Sequence, residues 1–223
     1  MTSGLVLYGY WRSSAAYRVR IALNLKGLDY ENRPVHLKRD GGEQHAPDYA
    51  TMNPQELVPC LRDGARTLVQ SLAIMEYLDE TRPGLPLLLP ADAPGRARVR
   101  ALAQAVACDI HPLGNLRVLQ RLGAQFGAQN EQIMAWMQHW ITTGFRALES
   151  MLARDSATGR HCHGDVPGLA DACLVPQCYN ARRWGVSLDD YPTIRRIHEA
   201  CNELEAFRAA APEAQPDAPA TVQ

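Results

Sequence analysis

This 223-residue chain lacks an excess of either charge: 23 Lys and Arg stand against 24 Asp and Glu, and no run of like charges breaks the mixture. A basic arm for nucleic acid and a solvated charged tail are therefore not expected. The start of the chain does not show the basic, apolar, small-residue order of a secretory leader. No apolar run reaches the roughly eighteen residues of a membrane-crossing helix. A cytoplasmic protein with no membrane partner is the expectation. Cysteine is scattered through Cys60, Cys108, Cys162, Cys173, Cys178 and Cys201, with no CxxC pair. That pattern fits reduced, mostly buried thiols better than a disulfide framework or a zinc site. Arg160-His161-Cys162-His163 invites a metal reading, but neighbouring side chains cannot all face one ion, and no second ligand cluster is evident in the sequence; no metal is expected.

Two patterns organise what is present. Up to about residue 80, strand-like and helix-like pieces alternate: Leu5–Tyr8 as a strand, a helix from Ser13 or Ser14 stopped by Gly27, strands at Asp29–Pro34, Cys60–Arg62 and Thr67–Val69, and a helix from Ser71 to about Glu80. In the first helix Val19, Ala22 and Leu23 mark an apolar side, with Arg18, Arg20 and Lys26 elsewhere. The segment 82–95, RPGLPLLLPADAPG, holds four prolines and two glycines and reads as a linker. Beyond it the chain is helical: 96–122 with an interruption at His111-Pro112, a long helix whose stripe is Ile133, Met137, Trp140, Ile141, Gly144, Leu148 and Leu152, then Leu169–Trp184 and Thr193 to about Ala210. The fold class is α+β with two domains, divided as 1–83, a linker 84–95, an all-helical 96–212 and a flexible tail 213–223.

Several motifs in the first half point to an anion. A helix start gathers unpaired N–H groups and the positive end of the peptide dipoles, and Ser13 and Ser14 add hydroxyls there. From those two residues alone an ordinary N-cap is the favoured reading, because serine is among the preferred caps. Val58-Pro59 precedes a strand, where a cis bond would turn the Val58 backbone toward an extended ligand. Gln70-Ser71 opens a second helix with an amide and a hydroxyl.

SSAAYRVRIAL, NPQELVP, QSLAIMEYLDE, DIHPLGNLRVL, GLADACLVPQ and YPTI, in this order, resemble the zeta class of glutathione transferases, the group of maleylacetoacetate and maleylpyruvate isomerases, across residues 4–212. The resemblance implies a thioredoxin-like first domain, an all-α second domain, glutathione as cofactor and a homodimer. It places Ser13 and Ser14 at the glutathione sulfur, the Val58 backbone on its cysteinyl part, Gln70 and Ser71 on its γ-glutamyl carboxylate and Gln44 near its glycyl end. His111, Asn115 and Arg117 match positions that close over glutathione and substrate, with His111 either orienting glutathione or shuttling a proton. Arg12 and Arg183 match cationic positions suited to a small-molecule, dianionic enedione, which planar guanidinium groups bind bidentately.

The implied reaction is cis-trans isomerisation of a maleyl diketo acid to its fumaryl isomer in aromatic or amino-acid catabolism. Maleylacetoacetate is slightly favoured over maleylpyruvate. A general glutathione transferase or peroxidase and a non-catalytic glutathione-binding protein are the alternatives. Two departures from the family pattern matter. Ala15 replaces the usual cysteine after the serines, leaving glutathione as the only nucleophile. Gly168 replaces the usual Ser or Thr of a capping box, which Asp171 can still half complete.

Overall fold

The computed structural model describes residues 4–220. The chain divides into two compact units: residues up to Leu89 together with those from Asn202 onward, and Pro90–Cys201.

In the first unit, β1 (Leu5–Gly9), α1 (Ser14–Leu25) and β2 (Glu31–Pro34) form a βαβ crossover, with β1 and β2 parallel. A short α2 (Pro47–Met52), absent from the sequence expectation, leads to the hairpin β3 (Cys60–Asp63) and β4 (Arg66–Val69) and then to α3 (Ser71–Thr81). The sheet order is β2-β1-β3-β4, with β3 antiparallel to both neighbours. The apolar run of β1 is central and nearly inaccessible, as a strand covered on both faces should be. Gly27, with φ of +63°, ends the turn after α1, a left-handed conformation that costs glycine little.

Helix α1 departs from its amphipathic reading. Arg18, Arg20 and Lys26 are as buried as Val19 and Ala22, at 1–2 % exposure. Ser71 meets Arg18, Asp79 and the Pro86 carbonyl meet Lys26, and a second layer built from the end of the chain covers Arg20. Arg20 Nε donates to the Ala210 carbonyl at 2.9 Å and its Nη2 to the Trp11 carbonyl at 2.9 Å, while Asn24 donates to the Ala206 carbonyl. Burial lowers the Arg20 pKa to about 10. The expected single last helix accordingly divides into α8 (Pro192–Asn202) and α9 (Glu205–Arg208), and Phe207 and Ala210 are fully buried. The segment expected to be a flexible tail continues this layer as far as it is described. Gln215 donates to the Ala209 and Ala211 carbonyls, and Asp217 accepts the Trp11 N–H at 2.9 Å.

The second unit is helical. Its first helix, α4 (Ala93–Gln104), begins inside the expected linker because Asp92 accepts the Gly95 N–H at 2.7 Å and Pro94 suits a first turn. A wide π turn, 105–110, and a tight 3₁₀ turn, 111–114, separate α4 from α5 (Leu116–Phe126), so the expected helix 96–122 is broken around His111-Pro112. Helices α6 (Asn130–Arg154) and α7 (Leu169–Arg183), with α8, complete the unit, and Met137, Ile141, Phe145, Leu148 and Leu152 are the buried stripe of α6.

Gly144 of α6 lies against Ile110, the last residue of the π turn, and a Cβ there would overlap the isoleucine side chain. Gly144→Ala is expected to cost about 1–3 kcal/mol through overpacking, read from a lowered melting temperature. Ile110→Val on the same background should restore part of it.

Candidate functional site

The first unit brings the N-terminal candidates to helix starts and loops beside the sheet. Ser13 is the N-cap of α1, and its Oγ accepts the Ala16 N–H at 3.2 Å. Ser14, in the first turn and half-buried, makes no side-chain hydrogen bond among the described residues. The two serines, alike in sequence, are thus unlike in structure: one hydroxyl is committed to the helix and the other is not. Arg12 stands next to them with its guanidinium 5.1 Å from the centre of the Trp11 ring. The Trp11 peptide is itself gripped at both ends, by Asp217 at its N–H and Arg20 at its carbonyl.

The Val58-Pro59 bond is cis. Asn53, 1 % exposed, donates its side-chain amide to the Leu57 carbonyl at 2.7 Å, and the Tyr49 hydroxyl donates to the same oxygen at 2.6 Å. This holds the NPQELVP loop while the Val58 N–H and C=O remain without a hydrogen bond among the described residues. Just beyond β4, Gln70 precedes α3 with φ of +70° and ψ of 116°, an unusual backbone for a residue with a Cβ. Such a residue persists where the surroundings hold it and commonly marks a ligand site. Its amide donates to Gln55 Oε1 at 2.7 Å, and the buried Ser71 hydroxyl accepts from Arg18 Nη1 at 3.2 Å. Gln44, 6 % exposed, has its Nε2 2.9 Å from His45 Nε2, and its buried Oε1 has no partner among the described residues.

Within the second unit, His111 opens the tight turn after the π segment and is half-buried. Asn115 is the N-cap of α5, its Oδ1 accepting the Arg117 N–H at 3.4 Å, and Arg117 itself is exposed. Arg183 is exposed at the end of α7, its guanidinium 4.9 Å from the centre of the Trp184 ring. Both candidate substrate arginines are therefore braced by a neighbouring tryptophan face, which restricts a flexible side chain without neutralising it. Gly168 still starts α7: its N–H donates to Asp171 Oδ2 at 2.9 Å, the half of the capping box that needs no hydroxyl.

Arg18, Trp11 and Trp184 are supports that sequence reasoning passed over. The WR and RW adjacencies were signals in plain view, whereas nothing local marks Arg18 as buried. Four of the buried cysteines are poor nucleophiles. Burial raises the Cys60 pKa to about 11 and pushes Cys162, Cys178 and Cys201 up as well, with the Asp171 carboxylate adding to the rise at Cys162 and Cys201.

Residues 7–86 match the family model described as glutathione S-transferase, N-terminal domain. A protein of Vibrio cholerae named probable maleylacetoacetate isomerase is 53% identical over 214 residues, 96% of this chain and 98% of that one. The holo structure of a bacterial maleylpyruvate isomerase, described as a zeta-class glutathione transferase, superposes with a TM-score of 0.92 at 53% identity, covering 96% of this chain and 100% of that one. A maleylacetoacetate isomerase from Methylobacterium extorquens, solved with malonate and glutathione bound, gives a TM-score of 0.91 at 46% identity, with 96% and 100% covered. Among the described residues no helix is long and apolar enough to cross a membrane. Two helix starts beside a four-stranded thioredoxin-like sheet, an all-helical second unit and this likeness along nearly the whole chain lead to one assignment: the chain belongs to the zeta class of the glutathione transferase family, the group of maleylacetoacetate and maleylpyruvate isomerases.

Proposed function

We propose that this protein is a glutathione-dependent cis-trans isomerase of maleyl diketo acids. The observation that carries the proposal is the uncommitted Ser14 hydroxyl in the first turn of α1, next to Arg12 and followed by Ala15 rather than a thiol. The first unit fits glutathione on its own features. The Val58 backbone groups suit pairing with an extended peptide, the start of α3 behind the unusual Gln70 suits a carboxylate, and the buried Gln44 Oε1 is an acceptor with no partner in its own unit. Bound there, glutathione supplies a sulfur nucleophile that adds reversibly to the cis double bond and leaves again, so none is consumed.

The chain's own residues do the rest. Ser14 donates to a thiolate, and the N-terminal dipole of α1 favours that charge. Ser13 keeps the helix start in place. Gln70 and Ser71 hold the γ-glutamyl carboxylate, and Gln44 serves the glycyl end. Arg12 and Arg183 take the substrate's carboxylates, and their permanent charge stabilises negative charge developing on its oxygens. His111 orients glutathione or moves a proton, Asn115 sets the start of α5, and Arg117 offers a charge beside it. A homodimer is part of the same reading, supported by the family likeness.

The test is turnover of maleylacetoacetate and of maleylpyruvate with glutathione followed in parallel. The expected result is loss of enedione absorbance with total free glutathione unchanged, with maleylacetoacetate the slightly favoured substrate. Consumption of glutathione in proportion to product would instead indicate a conjugating transferase. Binding of glutathione with no rate on any acceptor would indicate a binding protein.

A further inference from the structure

The second unit contains a cluster that the isomerase reading leaves unused. His161 comes from the loop between α6 and α7, Asp171 from the first turn of α7 and Cys201 from the end of α8; exposures are 2 %, 1 % and 0 %. Their donor atoms converge. His161 Nδ1 is 3.4 Å from Cys201 Sγ, Cys201 Sγ is 3.8 Å from Asp171 Oδ1, and Asp171 Oδ1 is 3.8 Å from His161 Nδ1. The sequence alone offered only the RHCH run, whose neighbours cannot share one ion. The fold adds the two further ligands from distant positions.

We propose that His161, Asp171 and Cys201 form a buried site for a zinc-type divalent cation. The geometry is the first argument. A tetrahedral ion with bonds of about 2.0–2.1 Å to nitrogen and oxygen and about 2.3 Å to sulfur spaces its donors roughly 3.3–3.6 Å apart. The observed triangle has sides of 3.4, 3.8 and 3.8 Å, so a contraction of a few tenths of an ångström on two sides makes it one face of that tetrahedron.

Charge is the second argument. A divalent ion balances one thiolate, one carboxylate and a neutral imidazole, leaving no net charge to bury. Binding replaces the Cys201 S–H by an S–metal bond and releases that proton to solvent; no redox change is involved. The mixture of imidazole, thiolate and carboxylate also suits zinc-like ions over calcium or magnesium, which prefer oxygen. The backbone N–H of buried Cys162 donates to Asp171 Oδ1 at 2.8 Å and helps to hold that carboxylate in place. An ion here would tie the 155–168 loop to the start of α7 and the end of α8.

Cobalt(II) is the probe. The full chain is produced in cobalt-supplemented medium, so that the ion is present as the protein folds, and purified without glutathione or chelator. The expected result is one cobalt per chain by elemental analysis, with the visible bands of a tetrahedral ion and a sulfur-to-cobalt charge-transfer band in the near ultraviolet. The exposed-thiol variant Cys108→Ser should keep all of these signals. Cys201→Ser should lose the charge-transfer band and bind at least about tenfold more weakly, while a native circular dichroism spectrum shows that it folds. His161→Asn should weaken cobalt binding by a similar factor while any cobalt still bound keeps its sulfur band, which tests the site should Cys201→Ser fail to fold. Less than a few tenths of an equivalent of cobalt, a charge-transfer band that survives in Cys201→Ser, a cobalt affinity unchanged in His161→Asn, or a band that vanishes in Cys108→Ser, would overturn the proposal.

Discussion

Ser14→Ala is expected to lower isomerase turnover by about 10²–10³-fold, the loss that follows removal of one hydrogen-bond donor to a reacting anion. Its melting temperature should barely move, because alanine is at least as favourable as serine within a helix and the Ser14 hydroxyl holds nothing among the described residues. Ser13→Ala should behave in the opposite way. It removes the acceptor of the Ala16 N–H and with it about 1 kcal/mol of stability, while turnover falls less than in Ser14→Ala. The comparison needs the single variants, since the double variant adds a lost cap to a lost donor. Kinetics at saturating glutathione with parallel thermal melts decide the matter. Equal kinetic losses from the two variants, or a Ser14→Ala protein that is merely less stable, would remove Ser14 from the chemistry.

The second large effect concerns folding. Lys26, with a fully buried side chain, donates to Asp79 Oδ1 at 3.0 Å and to the Pro86 carbonyl at 2.8 Å. Asp79 also accepts the Leu88 and Leu89 N–H groups, at 2.8 and 3.2 Å. One ion pair thus joins the end of α1, α3 and the proline-rich segment that leaves the first unit. Asp79→Ala strands a buried ammonium and two backbone donors, and a loss of about 3–5 kcal/mol is expected from chemical denaturation. Lys26→Met should cost less, because the Asp79 oxygens keep their two backbone donors and the thioether fills much of the space. Lys26→Met combined with Asp79→Leu should recover much of the Asp79→Ala loss, since no charge is then left buried. Equal destabilisation in all three would mean that shape rather than charge governs this site.

Much of the site was legible locally because its elements are local. The SS helix start, the VP bond before β3 and the QS helix start are each set by a few adjacent residues, and the structure has them at the stated positions. Even Gly168, an unusual N-cap, was readable, because its partner Asp171 lies three residues on. Where the reading failed, the cause was distant in sequence. Arg18, Arg20 and Lys26 have the spacing of a polar helix face, yet they are buried because Ser71, Ala210 and Asp79 meet them from other elements. The last helix looked continuous, and its division at Asn202 brings Phe207 and Ala210 into the first unit.

The sequence by itself determined the α+β class, the change from an alternating to a helical half, the two candidate anion-binding helix starts and the absence of a thiol at position 15. Those properties rest on periodicity, capping chemistry and residue identity, all of which act over a few residues. Only the tertiary structure decided which serine hydroxyl is already used, which cations are buried, and that His161, Asp171 and Cys201 come within 4 Å of one another. The cap on Ser13 is local, but the buried cations and the cluster join residues 10 to 190 positions apart, and contacts at that separation leave no periodic trace in the sequence. They arise from packing, which sets the neighbours of a side chain only after the chain has closed around it.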